Sequence, residues 1–406
     1  METQESFHKR LKNLMADSQY KSEFDWDNFL NFFKTHKVSL SPDTGINLIN
    51  NFIGCKNCHV GFQIDTYLEG CTHDCKYCYA KLEGEAVGKW NSPIPLPLDL
   101  SLIWEIFYRV FEKNEDHPFA GILKKRVPLR VGSLSDPFLS MENKLGISEE
   151  LIKLLNHFNY PYLFFTRSHL VADDRFTSLM DPKLGAIQIS IPSLDEKRTR
   201  VLEPRASSPE QRLWALKTLR EKGFWVTARI NPLFPTMPDG SLTSGKEIAF
   251  EFDFYTDELV KKIAETGCLS VLSGFVTLKS TLVDTLGDEL GFPLRNLMKD
   301  KTPKKDFYFS EDEISAYFSH IRAEVKKHGM DFSTCYLGQP EEQYFKNQDL
   351  WDNKKDCCNN IGKVQEHKIT STEISREDFL TIDKNQGFLN KLALKLMAFL
   401  IRKIKE

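Results

Sequence analysis

The sequence lacks two features that would indicate its class at once, a long apolar run and an excess of charge of one sign. No stretch of the 406 residues is long and apolar enough for a transmembrane helix. The polar first residues, 1–10, are followed by no apolar segment of the kind a signal peptide has. We therefore expect no membrane span and a cytoplasmic location. The formal net charge is -3, so the chain as a whole has no basic bias toward nucleic acid.

Internal repeats and low-complexity tracts are also absent, which excludes a repeat architecture. Hydrophobic residues make up 41% of the chain, enough for a large buried core. The nine cysteines fall in clusters, whereas those of a secreted disulfide scaffold are spread more evenly along a shorter chain. Clustered thiols in a reducing compartment indicate metal binding.

Three of the cysteines, Cys71, Cys75 and Cys78, lie within eight residues. Thiolates at this spacing fit one tight loop and can ligate three corners of a [4Fe–4S] cluster. A cluster that only transfers electrons normally has four cysteine ligands, so a loop with three leaves one iron open to a small molecule. The alternative is a zinc site in which His73, inside the loop, is the fourth ligand.

From about Gln63, strands and helices alternate about six times, which is typical of a parallel α/β sheet with crossover helices. Such sheets bind ligands beyond the carboxyl ends of their strands, so the loops that follow the strands are the expected site. The predicted strands are 64–68, 127–131, 162–165, 187–191, 225–230 and 269–272. The predicted helices are 100–113, 148–158, 209–222, 256–266 and 311–328.

The composition divides the chain into three parts. Residues 1–60 read as a helical N-terminal extension, and residues 61–290 contain the alternating strands and helices. Residues 291–406 are more polar and end in an amphipathic helix at 388–404. We expect this helix to pack on the core through its apolar face; contact with a partner or a membrane surface is the alternative.

The cysteine loop and the segments after it resemble the radical S-adenosylmethionine (SAM) superfamily, and within it the spore photoproduct lyase-like group that is labelled DNA repair photolyase. The matching segments, in order, are 70–80, 135–137 with Glu142, 166–168, 189–205, 212–213 and 228–232. The resemblance implies a partial (β/α)6 barrel and a [4Fe–4S] cluster held by Cys71, Cys75 and Cys78. It also implies that SAM binds the open iron and is cleaved by one electron to a 5′-deoxyadenosyl radical. A reductant such as flavodoxin or ferredoxin is the expected partner.

The resemblance further implies that SAM contacts side chains at the strand ends, namely Ser133, Ser135, Asp136, Arg167, Ser190, Ser193 and Arg229. The loop after the second strand commonly contacts the methionine amino group, and the end of the fourth strand commonly contacts the ribose. Arg167 follows the third strand, where a guanidinium can bind the methionine carboxylate with two hydrogen bonds. Arg229 faces the same pocket if its strand is the fifth. The alternative for each of these seven residues is a purely structural role, either as a hydroxyl that caps a loop or as a member of a surface ion pair.

Tyr77 and Tyr79 flank Cys78, and tyrosines here are associated with radical relay in spore photoproduct lyases; packing beside the cluster is the alternative. Those enzymes also carry a cysteine just after the second strand that donates hydrogen to the repaired thymine. Ser133 takes that place here. Because an O–H bond is much harder to break homolytically than an S–H bond, we expect no repair of spore photoproduct by that route. Glu203 and Arg205 also match the family pattern, and a buried ion pair explains them equally well.

Five further cysteines are candidate ligands of a second metal site, namely Cys55, Cys58, Cys335, Cys357 and Cys358. Four of them could ligate an auxiliary iron–sulfur cluster, or a zinc ion together with His59. Ordinary thiols are the alternative. Cys268 stands apart from these groups, and we expect it to be simply buried.

The sequence therefore predicts a radical SAM enzyme that abstracts hydrogen from an unidentified substrate, with a nucleic acid or a modified nucleotide as a candidate. A peptide- or protein-modifying enzyme with an auxiliary cluster is the first alternative. A non-catalytic iron–sulfur sensor with the same fold is the second. Loss of Ser133, Asp136 or Arg167 would have favoured the sensor, and the sequence retains all three.

Overall fold

The computed structural model describes residues 58–86, 88, 90, 95–117, 119–234, 255–276, 311–335 and 345–374. The predicted N-terminal extension lies almost wholly outside these residues, and so does Cys55. The predicted terminal helix at 388–404 lies outside them as well. Among the described residues, no helix combines the length and the apolar character that a membrane crossing needs.

Seven parallel strands form the main sheet, and they lie in it in chain order. The strands of the described residues are β1 (Gln63–Ile64), β2 (Tyr67–Leu68), β3 (Leu96–Pro97), β4 (Leu129–Val131), β5 (Tyr162–Thr166), β6 (Gly185–Ser190), β7 (Trp225–Leu233), β8 (Ser270–Phe275) and β9 (Asp331–Thr334). β1 and β4 to β9 form the sheet, whereas β2 and β3 form a separate antiparallel pair. The expected α/β fold with a parallel sheet is confirmed, with β9 as a seventh strand beyond the six that were expected.

Ten α-helices accompany the strands within the described residues. They are α1 (Tyr79–Ala86), α2 (Leu100–Phe111), α3 (Ala120–Lys124), α4 (Glu142–Leu145), α5 (Ile147–His157), α6 (Asp174–Thr177), α7 (Glu196–Leu202), α8 (Pro209–Glu221), α9 (Asp257–Glu265) and α10 (Glu311–Lys327). The five predicted helices correspond to α2, α5, α8, α9 and α10, and each predicted first and last residue lies within two residues of the observed one.

Local sequence signals explain why α8 is so well predicted. Ser208 and Gln211 form a reciprocal capping box, and Pro209 occupies the first turn, where its missing N–H costs nothing. The helix is followed by Gly223, which has a φ of 87°. Glycine adopts this left-handed conformation without the steric cost that a side chain brings, so the helix ends here.

The two faces of the sheet pack against different parts of the chain, because successive side chains of a strand point to opposite sides. Phe164, Ile187 and Val226 belong to a large core shared with the helices. Leu163, Ala186 and Leu272 face the other way and belong to a smaller core. We call their side the inner face. Residues 345–374 cover it with four buried side chains, Trp351, Cys357, Cys358 and Val364.

The sheet curves around this covering segment. β1 and β9 are its opposite edge strands, which a flat sheet of seven strands would hold on the order of 30 Å apart. Yet Cys58, just before β1, and Cys335, just after β9, both pack against the same smaller core. Both thiols also interact electrostatically with Cys357. This curvature agrees with the partial barrel that the sequence implied.

His367 anchors the covering segment to the sheet. Its Nε2 lies 2.8 Å from the backbone carbonyl of Leu184, to which it donates. Its Nδ1 accepts from the side-chain amide of Asn360 at 2.7 Å. Only the neutral imidazole makes both bonds, since the charged form would present a second donor to Asn360. Burial accordingly lowers the pKa of His367 from 6.5 to about 4, although Glu366 acts in the opposite direction.

We predict that His367 makes the fold less stable in mild acid. Between pH 6.5 and about 4 the unfolded chain binds a proton that the folded chain does not, so the free energy of unfolding falls as the pH falls. From pH 7 to pH 5 this loss amounts to about 2 kcal/mol. His367→Gln should remove this part of the pH dependence, as measured by urea unfolding at the two pH values. The exposed His328, replaced by Gln, is the matched control. An equal loss in His367→Gln and in the unaltered chain would contradict the prediction.

Candidate active site

The three-cysteine loop lies directly after β2 and is shaped by its own backbone. The N–H of Asp74 donates to the carbonyl of Cys71 at 3.3 Å, and the N–H of Cys78 donates to the carbonyl of Cys75 at 3.2 Å. Asp74 has a φ of 52°, a left-handed conformation that aspartate tolerates better than most residues. The result is a compact turn that carries all three thiols.

The thiols of this loop are shielded from water. Cys75 is buried, and Cys71 and Cys78 are half-buried against the main core. Burial and, to a smaller extent, the charge of Asp136 raise the pKa of Cys71 to about 12. Burial also raises the pKa of Cys75 and of Cys78. Three shielded sulfur donors suit a soft metal centre, in which the metal replaces the thiol protons.

The spacing of ligand atoms speaks against the zinc alternative. Among the described residues, only Asp257, His320 and Glu324 form a set of three or more ligand atoms that all lie within 4.8 Å of one another. The loop thiols are therefore spread more widely than the ligands of a single ion. His73 is also engaged elsewhere, because its Nδ1 lies 3.5 Å from Oδ2 of Asp136.

Asp136 joins the loops that follow β4 and β5 to the cysteine loop. Its Oδ1 accepts from the N–H of Phe138 at 2.9 Å and from the hydroxyl of Thr166 at 2.7 Å. Its Oδ2 accepts from the N–H of Arg167 at 2.6 Å and faces His73. The carboxylate is only 6% exposed. The carboxylate of Asp136 therefore holds the ends of β4 and β5 in fixed positions relative to each other.

Asp65, which the sequence did not single out, organises the loop after β4. Its Oδ1 accepts from three consecutive backbone N–H groups, those of Ser133 at 2.7 Å, Leu134 at 2.9 Å and Ser135 at 3.0 Å. Burial raises the pKa of Asp65, and the three hydrogen bonds oppose that shift. The hydroxyl of Ser135 donates to the carbonyl of Tyr67 at 2.6 Å. An acidic residue directly after the first strand was the signal that could have identified this role.

Glu203 is a fully buried carboxylate that connects the cysteine loop to α8. Its Oε2 accepts from Arg212, and its Oε1 accepts from the hydroxyl of Tyr77. Nε of Arg167 donates to the same Oε1 at 3.1 Å. Burial alone would raise the pKa of Glu203, but the charges of Arg212 and Arg167 outweigh it and lower the pKa. The carboxylate therefore stays ionised between two guanidinium groups.

Two backbone hydrogen bonds extend this connection. The N–H of Lys76 donates to the carbonyl of Leu202 at 2.9 Å, and the N–H of Arg205 donates to the carbonyl of His73 at 3.3 Å. The side chain of Arg205 is exposed. The buried ion pair considered for Glu203 therefore exists, but its basic partners are Arg212 and Arg167 instead of Arg205.

The two tyrosines beside Cys78 have different surroundings. Tyr77 is buried, and its ring meets that of Phe234 edge-on with centroids 5.9 Å apart. Burial raises the pKa of Tyr77 far above its ordinary value, so the hydroxyl stays protonated and donates a hydrogen bond to Glu203. Tyr79 is 38% exposed, and its hydroxyl donates to the carbonyl of Ser133 at 3.1 Å.

The remaining predicted contacts lie at the ends of β6 and within β7. Ser190 is buried, and its carbonyl accepts from Arg212 at 2.8 Å. The hydroxyl of Ser193 accepts from the N–H of Asp195 at 3.0 Å. β7 is the fifth strand of the sheet, as expected for Arg229. The guanidinium of Arg229 lies on the inner face.

Four of the other cysteines come together on the inner face. Cys357 and Cys358 belong to the smaller core, and Cys58 and Cys335 pack against it; we call these four the second cysteine group. They derive from three segments that are far apart in the sequence. Cys268 lies apart from them, buried in the main core as expected.

Part of this chain is similar to known proteins. Residues 66–244 match the family model described as the radical SAM superfamily. "Uncharacterized protein MJ0683" of Methanocaldococcus jannaschii is 27% identical over 205 residues, which are 49% of this chain and 70% of that protein. "Uncharacterized protein ORF301" of Acidianus two-tailed virus is 26% identical over 169 residues, which are 41% of this chain and 54% of that protein.

Among solved structures, a spore photoproduct lyase complexed with dinucleoside spore photoproduct has a TM-score of 0.46 and 15% identity. The match covers 67% of this chain and 75% of that one. The Streptococcus suis protein SuiB bound to SAM has a TM-score of 0.41 and 12% identity, covering 77% of this chain and 55% of that one. The family match includes the three-cysteine loop and the loops that Asp136 and Glu203 connect to it. Residues 66–244, which carry the three-cysteine loop, are therefore similar to the radical SAM superfamily.

Proposed function

We propose that this chain holds a [4Fe–4S] cluster through Cys71, Cys75 and Cys78, binds SAM beside it and abstracts hydrogen from a substrate. The observation that carries the proposal is the shielded three-thiol loop, bound to the carboxyl ends of β4 and β5 inside the segment that is similar to the radical SAM superfamily. When bound, such a cluster supplies the electron that splits SAM into methionine and a 5′-deoxyadenosyl radical, and a reductant such as flavodoxin or ferredoxin restores that electron.

The protein residues would position SAM and exclude water. Asp65 holds the backbone of the loop that contains Ser133 and Ser135, and Asp136 holds its end. This fixed loop stands beside the cysteines, where the methionine amino group would bind. The carbonyl of Ser133 already accepts from Tyr79, so this loop and the helix after Cys78 would move together.

Arg167 is the candidate partner of the methionine carboxylate. Its Nε donates to Glu203 at 3.1 Å and to the hydroxyl of Tyr77 at 3.1 Å, which fixes the plane of the guanidinium. The side chain is 27% exposed, so part of the group faces the open side of the site. Its Nη2 also donates to the carbonyl of Asn231 at 3.5 Å, and the remaining N–H groups of its terminal nitrogens can still bind a carboxylate.

Ser190 and Ser193 are the proposed ribose contacts. Ser193 accepts a hydrogen bond from Asp195, and a hydroxyl that accepts one bond can still donate another. Tyr79 is the better candidate for a radical relay, because it is partly exposed while Tyr77 is bonded to Glu203 and Arg167. We therefore assign Tyr77 a positioning role.

The substrate proposal remains a nucleic acid or a modified nucleotide. Ser133 stands where spore photoproduct lyases carry their hydrogen-donating cysteine, so we propose a substrate other than spore photoproduct. Modification of a peptide or protein is the second candidate. It is favoured by the second cysteine group, since auxiliary clusters are common among peptide-modifying radical SAM enzymes.

Replacement of the loop cysteines tests the proposal directly. In Cys71→Ala, Cys75→Ala or Cys78→Ala, the loop loses a cluster ligand, and formation of 5′-deoxyadenosine from SAM should fall to background. The measurement is chromatography of the products after anaerobic reconstitution and reduction with dithionite. Cys268→Ala removes a buried cysteine outside both groups and should retain activity. Cleavage of SAM by the triple alanine variant would overturn the assignment.

Replacement of Glu203 tests the positioning network. Glu203→Gln keeps the shape of the side chain but leaves Arg212 buried without its counter-charge, which typically costs about 3–5 kcal/mol of unfolding free energy. We also expect the KM for SAM to rise more than kcat falls, because Arg167 loses the group that orients it. Glu203→Asp should restore part of the affinity.

The exposed Glu210 on the same helix, replaced by Gln, is the matched control and should change neither quantity. Urea unfolding and steady-state kinetics on the reconstituted protein provide the two measurements. A Glu203→Gln variant with unaltered stability and an unaltered KM would show that the network does not position the site.

A further inference from the structure

We propose that Cys58, Cys335, Cys357 and Cys358 hold a second iron–sulfur cluster, on the inner face of the sheet. The proposal rests on the second cysteine group alone and does not depend on the cluster of the three-cysteine loop. It adds a metal site to the chain, built from residues that lie mostly outside the segment matched by the family model.

The fold brings these four cysteines together from three places. Cys58 precedes β1 and Cys335 follows β9, the two edge strands of the curved sheet. Cys357 and Cys358 belong to the segment that covers the inner face. Each place is fixed by polar contacts: Ser371 donates to the carbonyl of Cys58 at 2.7 Å, and the N–H of Cys335 donates to the carbonyl of Ser273 at 2.8 Å. Fixed backbones of this kind preorganise a ligand set.

The spacing of the sulfur atoms favours a cluster over a single ion. Sγ of Cys357 lies 4.0 Å from Sγ of Cys358. However, no three of the four thiols have all their sulfur atoms within 4.8 Å of one another, as the four ligands of a tetrahedral zinc ion would. Thiolates that surround an iron–sulfur core are farther apart.

Two arginines supply the counter-charge that such a cluster needs. Nη2 of Arg229 lies 3.5 Å from Sγ of Cys335, and Nη1 donates to the side chain of Gln188 at 2.5 Å. The guanidinium of Arg130 interacts electrostatically with Cys58, Cys335 and Cys358. Both guanidiniums lie over the ring of Phe165, with 4.2 Å to its centroid for Arg130 and 4.7 Å for Arg229.

These cations lack close carboxylate partners in the part of the chain that the structure describes. No carboxylate oxygen there lies within 4.0 Å of Arg130 or Arg229, although Asp65 acts on Arg130 at longer range. Nε of Arg130 is buried and makes no hydrogen bond to a described residue. Arg229 is buried and Arg130 is half-buried, and cations shielded from water are costly without a counter-charge, so the arrangement fits an anionic centre. An iron–sulfur core with four thiolate ligands is such an anion.

The test is the metal content of the full chain, purified without oxygen and reconstituted with iron and sulfide. The unaltered chain should bind about eight irons, and the triple variant of Cys71, Cys75 and Cys78 to Ala should keep about four of them. After reduction with dithionite, this variant should give the electron paramagnetic resonance signal of a reduced cluster. Further replacement of Cys357 and Cys358 by Ser should abolish both, whereas further replacement of Cys268 by Ala should not.

Three results would overturn the proposal: about four irons in the unaltered chain, about one zinc in place of the second set of irons, or no metal in a triple variant that unfolds cooperatively in urea. The reverse variant, Cys335→Ser with Cys357→Ser, keeps the test valid if the triple variant does not fold. It should bind about four irons and should still cleave SAM, which separates failure of this site from failure of the proposed reaction.

Discussion

The site depends above all on one buried carboxylate, that of Glu203. It accepts hydrogen bonds from Arg212 on α8, from Arg167 at the end of β5 and from Tyr77 in the cysteine loop. A buried charge is tolerated only when its partners are complete, so the three elements that supply them must keep their relative positions. The loop that would carry the cluster and the arginine that would bind SAM are thereby fixed by the same group.

Arg130 lies between the surroundings of the two cysteine groups. Arg130 on β4 interacts electrostatically with Tyr79, which follows the first group, and with three thiols of the second group. Asp65 connects the same region to the loop after β4. The curvature that brings β1 toward β9 places the second group under the covering segment, whereas the proposed SAM site lies at the strand ends.

The sequence predicts most of what is local. The helix limits follow from capping residues, as in α8, and the three-cysteine loop follows from spacing alone. The predicted strand 64–68 is divided in the structure, because Asp65 turns to bind the loop after β4. Alternation of strand and helix was enough to predict the parallel sheet.

The sequence could not predict what depends on distant contacts. β9 lies in a polar region and shows no alternation of apolar and polar residues that would predict a strand. It is buried because α10 and residues 345–374 pack against it. The contact between Arg229 and Cys335 joins residues 106 positions apart. The role of Arg212, completely buried on the otherwise apolar face of α8, likewise appears only when Glu203 is seen beside it.

The central claim is that the three-cysteine loop leaves an iron to which SAM binds directly. Electron–nuclear double resonance on the reduced protein with SAM labelled with ¹⁵N at the amino group measures this contact. The account predicts a nitrogen coupling to the cluster spin, and the same coupling in a variant that lacks Cys357 and Cys358. A loop cluster that is fully assembled, saturated with SAM and without any ¹⁵N coupling would contradict it.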